Sequence, residues 1–301
     1  MKVRTAFIGC VDMSRRLLAA AAAVPEVEVA AVITRTSSAA NADFACLADQ
    51  AAALGARCLV LGEERQTAPR PRIRDFLEQE RIELGLCCGW SRLLSPATIA
   101  VVPRGIIGFH PAALPRNRGR HPLIWAMALS LEETASTFFL MDAGADTGPI
   151  LDQVAVPIRP TDEAADLYAR VAETAAVQIS RFLPAYALGK LTPQPQPPGM
   201  GNSWRRRNAA DGRIDWRMTG EAISALVRAL APPYPGATCL YQGQDMPVTR
   251  VEPGPGAPAH LEPGLILAVE AGRLLVKCWG GSIWIVGHGI SPLPQAGAYL
   301  Q

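Results

Sequence analysis

The first 190 residues alternate short apolar or β-branched runs with longer stretches of helical pattern, and this alternation constrains the fold more than any other feature. It is typical of βαβ units, in which crossover helices connect parallel strands. The predicted strands are Val3–Gly9, Val27–Thr34, Arg57–Leu61, Leu84–Gly89, Gly105–His110 and Ser136–Met141. The predicted helices are Met13–Ala23, Asp43–Leu54, Pro71–Glu80 and Pro122–Leu129. We therefore expect an α/β domain with a Rossmann-like parallel sheet.

The later part of the chain has a different pattern. A long helix is predicted over Asp162–Leu188, with Thr161 as its N-cap and Gly189 as its C-cap. The stretch Leu191–Met200 has too many prolines for either periodicity and is typical of a linker.

Beyond the linker, we predict one helix and five short strands, a set that suits a small β-rich domain of the OB type. They are Gly220–Leu230, Ala237–Tyr241, Pro247–Val251, Leu265–Glu270, Leu274–Trp279 and Ser282–Val286. The predicted domains are thus an α/β domain over 1–190, a linker over 191–202 and an OB-like domain over 203–301.

Composition excludes several classes of protein. Apolar residues make up 49% of the 301 residues, yet no run reaches the roughly 18 apolar residues needed to span a bilayer. The start, MKVRTAFIGC, lacks the pattern of a secretory signal, so we expect a soluble, cytoplasmic protein. A net charge of +2 is too small to indicate a nucleic-acid partner. The seven cysteines have no disulfide or metal-site spacing, so we interpret them as buried thiols and expect no metal.

The turn after the first predicted strand argues against a dinucleotide. Gly9 is followed by Cys-Val-Asp-Met-Ser, which lacks the G-x-G-x-x-G needed for close approach to a pyrophosphate. In an open parallel sheet, the ligand crevice still lies outside the carboxyl ends of the strands.

Two strand ends carry residues suited to acid–base chemistry. His110 ends one predicted strand, and Asp146 lies in the Gly-rich loop after the next. If these strands are neighbours, both side chains reach the same crevice, where a carboxylate would orient an imidazole and favour its charged form. A structural role is also open, because Asp in such a loop commonly caps a turn.

The text around these residues, HPAALPRNRGRHPLIWAMALSLEETASTFFLMDAGADTGPILDQ, resembles the folate-dependent formyltransferase family. The shared pieces include His110-Pro111, Arg118-Gly119, Trp125-Ala126, Met141-Asp142 and Asp146-Thr147-Gly148. The resemblance covers most of the chain. It implies that 10-formyltetrahydrofolate binds in the crevice and that its formyl group is transferred to an amine.

The resemblance also implies the catalytic residues. The family uses an Asn-x-His pair and the Asp of the D-T-G loop; His110 and Asp146 match, but Gly108 occupies the Asn position. That Asn is thought to donate a hydrogen bond to the developing oxyanion. Substitutes could be the His110 imidazolium, a backbone N–H or water admitted by the small Gly108, or His121. We expect formyl transfer to survive Gly108→Asn.

Two segments match the part of the family that holds the folate. The loop after the fourth predicted strand falls where relatives line the pterin pocket, and backbone groups at the D-x-G-x-D loop would contact the pterin edge. The predicted folate-binding residues are Trp90, Arg92, Leu93, Leu94, Met141, Asp142, Ala143, Gly144 and Ala145.

The C-terminal part bears on the acceptor. Trp204 to Arg207, the D-G-x-I-D-W motif at Asp211 to Trp216, and the P-Y-P-G-A motif ending at Ala237 resemble sugar N-formyltransferases. The resemblance therefore favours a nucleotide-linked amino sugar as the amine acceptor. A methionyl-tRNA or other small-amine formyltransferase, a formyltetrahydrofolate deformylase, and a folate-binding protein without activity remain alternatives, and a homodimer stays open.

Overall fold

The computed structural model describes residues 1–37, 42–62 and 71–301 of the chain. Its N-terminal part contains a seven-stranded sheet with the strand order β3-β2-β1-β4-β5-β7-β8. These strands are β1 (Val3–Ile8), β2 (Val27–Arg35), β3 (Arg57–Leu61), β4 (Leu84–Cys87), β5 (Ile106–His110), β7 (Glu133–Leu140) and β8 (Ile150–Pro157). A short strand, β6 (Arg118–Gly119), pairs with another, β9 (Ser203–Trp204).

Helices connect these strands. They are α1 (Asp12–Ala22), α2 (Ala48–Ala53), α3 (Pro71–Gln79), α4 (Pro96–Ala100), α5 (Pro122–Ala128) and α6 (Ala164–Ala187). The long helix begins at Ala164, two residues after its predicted start. Gly189, two residues after the end of α6, has φ +68°, and its N–H donates a hydrogen bond to the Tyr186 carbonyl, as expected for a helix C-cap.

The sheet is mixed rather than purely parallel. The neighbouring strands from β3 to β5 pair in parallel, but β7 runs antiparallel to β5, with Thr137 opposite His110 and Leu140 opposite Ile107. The carboxyl end of β5 and the carboxyl end of β7 therefore lie at opposite ends of the strands. The predicted parallel-dominated α/β domain is confirmed. The expectation that the carboxyl ends of these two strands lie side by side is wrong, because the strands are antiparallel.

The core follows from the apolar strand runs. Ile8 on β1, Ile33 on β2 and Ile106 on β5 are fully buried and belong to one core cluster. Strands that are covered by helices on both faces have nearly continuous apolar sequences, as these do. Strand β5, which ends at His110, lies inside this buried sheet between β4 and β7.

The C-terminal part forms a five-stranded antiparallel sheet with the order β10-β11-β14-β13-β12. Its elements are α7 (Gly220–Ala229), β10 (Ala237–Tyr241), β11 (Gln244–Pro253), β12 (Ile266–Glu270), β13 (Arg273–Cys278) and β14 (Gly281–His288). The last residues hydrogen-bond to both edges, through Gln301 to Leu240 and through Ala298 to Ile266. The predicted small β-rich domain is confirmed.

The chain divides into two compact units. One contains Met1–Pro122, Thr134–Pro157 and Tyr168–Trp204, and the other contains Leu123–Glu133, Ile158–Leu167 and Arg205–Gln301. The Pro-rich segment 191–202 thus belongs to the first unit. Within the described ranges, no helix is long and apolar enough to cross a membrane.

Candidate active site

His110 is the last residue of β5 and is buried, with 5% of its surface exposed. Its Nε2 lies 2.8 Å from the backbone oxygen of Asn117. Because a carbonyl oxygen can only accept a hydrogen bond, Nε2 must carry the proton. In the neutral ring, Nδ1 is therefore the unprotonated nitrogen and the site at which the ring can take up a proton.

Asp146 faces that nitrogen. Its Oδ2 lies 3.6 Å from Nδ1 of His110 and accepts a hydrogen bond of 3.0 Å from the Gly119 N–H. The structure thus brings together the two residues that the sequence predicted to be near each other. The tautomer of the neutral ring is set by the Asn117 carbonyl at 2.8 Å rather than by Asp146.

Asp146 reaches His110 through its loop, not through the end of its strand. Since β7 is antiparallel to β5, the loop over 141–149 begins near the start of β5, whereas His110 lies at the end of β5. Within it, Asp142 Oδ1 accepts hydrogen bonds from the Gly144 N–H and the Thr147 hydroxyl, at 2.9 and 2.7 Å. These bonds shape the turn that returns Asp146 to the histidine.

Backbone conformations around the site are unusual. Asn117, His121 and Asp146 have φ values of +63°, +54° and +57°. Few non-glycine residues adopt this left-handed region, and such residues cluster where the surrounding structure forces them to. The side chain of Asp146 and the carbonyl of Asn117, which both face His110, are therefore held by strained turns.

Gly108 lies directly opposite Phe139 in the β5–β7 pair. A Cβ atom at Gly108 would be 2.8 Å from Cζ of Phe139 and 3.1 Å from Cγ of Met141. Phe139 is itself buried, at 3% exposure. These side chains occupy the position that a Cβ of residue 108 would take. The expectation of a water or backbone N–H beside Gly108 stays a prediction.

The predicted folate-binding residues occupy different environments. Trp90 and Met141 are partly buried and pack against the core cluster, and Leu94 belongs to that cluster. Leu93, by contrast, is a large apolar side chain with 67% of its surface exposed. Arg92 and the loop residues Asp142, Ala143, Gly144 and Ala145 are exposed too. Trp90, Leu93 and Met141 can therefore offer apolar surface to a planar ligand, whereas Leu94 supports the core.

Several residues near the site were not singled out from the sequence. Asn117 and Gly119 contact His110 and Asp146 through backbone atoms, and backbone roles leave no residue-type signal. Arg120 donates a 2.6 Å hydrogen bond to the Ser91 carbonyl and so contacts the predicted pterin loop. Gln196, in the Pro-rich segment, hydrogen-bonds to Asp146 and Gly148.

The chain has seven cysteines, which we predicted to be buried thiols. Five of the seven are buried, as expected, but Cys58 is exposed and Cys46 is half-buried. Burial raises the pKa of the Cys87 thiol to about 12, so this thiol stays protonated and unreactive at neutral pH. Among the residues that the structure describes, no group of three or more His, Cys, Asp or Glu side chains could hold a metal ion.

Comparisons with known proteins match both parts of the chain. Residues 4–183 match the family described as formyl transferase, and residues 207–290 match the formyl transferase C-terminal domain. A methionyl-tRNA formyltransferase of Pelobacter propionicus is 34% identical over 221 residues, which are 72% of this chain and 67% of that protein.

Solved structures share the fold at lower identity. WlaRD, a sugar 3N-formyltransferase crystallised with dTDP and 5-N-formyl-tetrahydrofolate, superposes with a TM-score of 0.71 at 14% identity, over 97% of this chain and 100% of that one. An N-formyltransferase of Helicobacter canadensis, in complex with folinic acid and dTDP-3-aminofucose, gives 0.71 at 15% identity, over 95% and 100%.

Proposed function

Since the chain belongs to the formyl transferase family, we propose that its folate-dependent N-formyltransferase activity is carried by His110 and Asp146 and directed at the amine of a nucleotide-linked amino sugar. The formyl donor of the enzyme is 10-formyltetrahydrofolate. The observation that carries the catalytic proposal is the buried imidazole whose Nε2–H is bound to the Asn117 carbonyl and whose Nδ1 faces a carboxylate.

In the proposed reaction, the unprotonated amine of the acceptor attacks the formyl carbon. A C–N bond forms, and the formyl oxygen takes up the negative charge of a tetrahedral intermediate. Nδ1 of His110 accepts a proton from the attacking nitrogen, and the same proton is then given to N10 of the folate as the C–N10 bond breaks. The products are the formamide and tetrahydrofolate, and Asp146 stabilises the imidazolium between the two steps.

The oxyanion needs a donor that Gly108 does not supply. A Cβ at this position would meet Phe139 and Met141 at 2.8 and 3.1 Å, so we look for the donor elsewhere. His110 offers only Nδ1–H, because Nε2–H is engaged with the Asn117 carbonyl. Once Nδ1 has taken the proton from the attacking amine, we assign the oxyanion contact to its N–H, before that proton passes to N10. An oxyanion donor is typically worth about 10²–10³ in kcat.

The folate would lie against Trp90, Leu93 and Met141. The exposure of Leu93 fits this role, since a 67% exposed leucine beside a tryptophan gives an apolar surface for the pterin ring. The loop over Asp142–Ala145 would present backbone N–H and C=O groups to the polar edge of the ring.

Two observations support the amino-sugar acceptor. The C-terminal motifs from Trp204 to Ala237 resemble those of sugar N-formyltransferases. The two solved structures with a TM-score of 0.71 are of enzymes that their descriptions call N-formyltransferases, crystallised with dTDP or with dTDP-3-aminofucose.

A tRNA acceptor is the second candidate, favoured by the 34% identity with a methionyl-tRNA formyltransferase. Phosphate contacts dominate nucleic-acid binding, and the charges of residues 205–301 supply few of them. This region has nine Arg and Lys residues against seven Asp and Glu residues. Its lysine, Lys277, is buried. Five of its arginines form ion pairs, namely Arg205–Asp211, Arg213–Asp245, Arg217–Asp215, Arg250–Glu252 and Arg273–Glu270.

The acceptor is tested by incubating the protein with 10-formyltetrahydrofolate and a panel of amino-sugar nucleotides, methionyl-tRNA and small amines, followed by mass spectrometry. We expect a mass gain of one formyl group on an amino-sugar nucleotide. Formylation of methionyl-tRNA alone would overturn the sugar proposal. Release of formate without any amine would instead identify a deformylase.

A further inference from the structure

We propose that Gln196 and Asn202, in the Pro-rich segment between the two matched family regions, are positioning residues for the catalytic pair. The inference rests on the proposed roles of His110 and Asp146. We call residues 194–204 the strap, because they hydrogen-bond to the two turns that contact His110, over 117–120 and 146–150.

Gln196 joins the two turns through a single side chain. Its Nε2 donates hydrogen bonds to the carbonyls of Asp146 and Gly148, at 2.9 and 2.7 Å. Its Oε1 accepts a hydrogen bond of 2.6 Å from Nη2 of Arg118. Both amide protons and the amide oxygen are therefore used, and they fix the Asp146 backbone that directs its carboxylate at Nδ1 of His110.

Asn202 acts on the other nitrogen of His110. Its Oδ1 accepts a hydrogen bond of 2.7 Å from the Asn117 N–H, while its backbone oxygen accepts one of 3.1 Å from Arg118. Asn117 is in the left-handed region, and its carbonyl accepts the Nε2–H of His110. A side chain of the strap thus holds the strained residue that sets the histidine tautomer.

The strap is fitted closely to these turns. A Cβ at Gly201 would lie 2.7 Å from both the Pro115 carbonyl and Nη1 of Arg118, and a Cβ at Gly119 would collide with the Trp204 carbonyl. Arg120 donates its N–H to that same carbonyl. Glycine at both positions lets the two backbones pair as β6 and β9.

Gln196→Met and Asn202→Ala remove the side-chain hydrogen bonds of these two residues without changing the residues that face the reacting atoms. Gln194→Met is the matched control, because the Gln194 side chain donates only to the nearby Thr192 carbonyl and is exposed. Ser203→Ala serves the same purpose for Asn202, since Ser203 is also exposed.

The decisive readout needs no acceptor. The chain has four histidines, so long-range ¹H–¹⁵N spectra of the imidazoles can be assigned by His→Gln substitutions. We expect wild-type His110 and both controls to show the Nε2–H tautomer at neutral pH. In Asn202→Ala the two His110 nitrogens should become tautomer-averaged, and in Gln196→Met the Nδ1 resonance should shift.

Turnover provides the second readout, with the acceptor found by the screen. Small misplacements of catalytic groups can cost about 10²-fold in rate, so we expect both strap variants to lower kcat at least tenfold. KM for 10-formyltetrahydrofolate and 5-formyltetrahydrofolate binding should stay within about threefold of wild type.

Two results would contradict the strap proposal: unchanged His110 spectra in both strap variants, or equal losses in the strap variants and their controls. A different result would contradict the proposed function. If His110→Ala retained full turnover, the catalytic assignment would fail even though the strap altered the imidazole spectrum.

Discussion

Gly108→Asn tests whether the space beside the catalytic strand is filled. The new Cβ would be 2.8 Å from the ring of Phe139, so the buried ring must move. Overpacking a core costs about 1–3 kcal/mol, and burying an amide without partners adds about 1–3 kcal/mol. The lower backbone entropy of a non-glycine residue returns about 0.5–1 kcal/mol. The expected net loss in the free energy of unfolding is about 1–5 kcal/mol.

Thermal unfolding monitored by circular dichroism measures this loss. A domain of this size loses about 2–4 °C in Tm for each kcal/mol, so Gly108→Asn should lower Tm by about 2–20 °C. If the collision with Phe139 is the cause, Phe139→Leu should relieve it. A double-mutant cycle should then show a favourable coupling of about 1 kcal/mol or more between the two positions.

The sequence-based expectation that formyl transfer survives Gly108→Asn depended on open space at this position. With the space filled, we expect the single variant to lose more than tenfold in kcat, and the double variant with Phe139→Leu to recover part of it. A Tm within about 1 °C of wild type for Gly108→Asn would refute the packing argument, because an overpacked core cannot be that close to neutral.

Three further predictions concern the site. His110→Ala and Asp146→Asn should each lower kcat by about 10² or more, the usual contribution of acid–base groups, with unchanged binding of 5-formyltetrahydrofolate; near-normal turnover in both would contradict their roles. That binding, measured by calorimetry, should survive a chelator, and loss of binding with EDTA would reveal a metal that we do not expect. Leu93→Ala should weaken folate binding with little change in Tm, whereas Leu94→Ala should lower the free energy of unfolding by about 2–5 kcal/mol. The reverse pattern would mean that Leu94 contacts the folate and Leu93 supports the core.

Much of the fold could be predicted because its strands are nearly continuous apolar runs bounded by turns. Strand β3 was predicted with its correct ends, and α7 within one residue at its end. Strand β8 was missed, because the adjacent polar residues Asp152 and Gln153 interrupt the apolar run of Ile150–Pro157 next to the recognised loop motif. The direction of β7 was also missed, since the period of a strand is the same whichever way it runs.

The catalytic pair could be predicted in identity but not in geometry. His110 and Asp146 were found because a long motif surrounds them. The element that sets the tautomer is the backbone oxygen of Asn117, and any residue type has such an oxygen. The sequence therefore favoured the carboxylate as the group that fixes the ring, whereas its distance of 3.6 Å from Nδ1 gives it an electrostatic role instead.

The Gly108 position shows why a missing side chain cannot be interpreted from its own strand. The glycine suggested an open space near His110, but whether the space is open depends on the residue that pairs with Gly108 on the neighbouring strand. Register places Phe139 there, and its ring covers the backbone of the glycine, as aromatic side chains do in antiparallel pairs. Gly108 and Phe139 therefore pack as a pair. The oxyanion donor must then come from another residue, and Nδ1 of His110, which faces Asp146, is the atom that we propose.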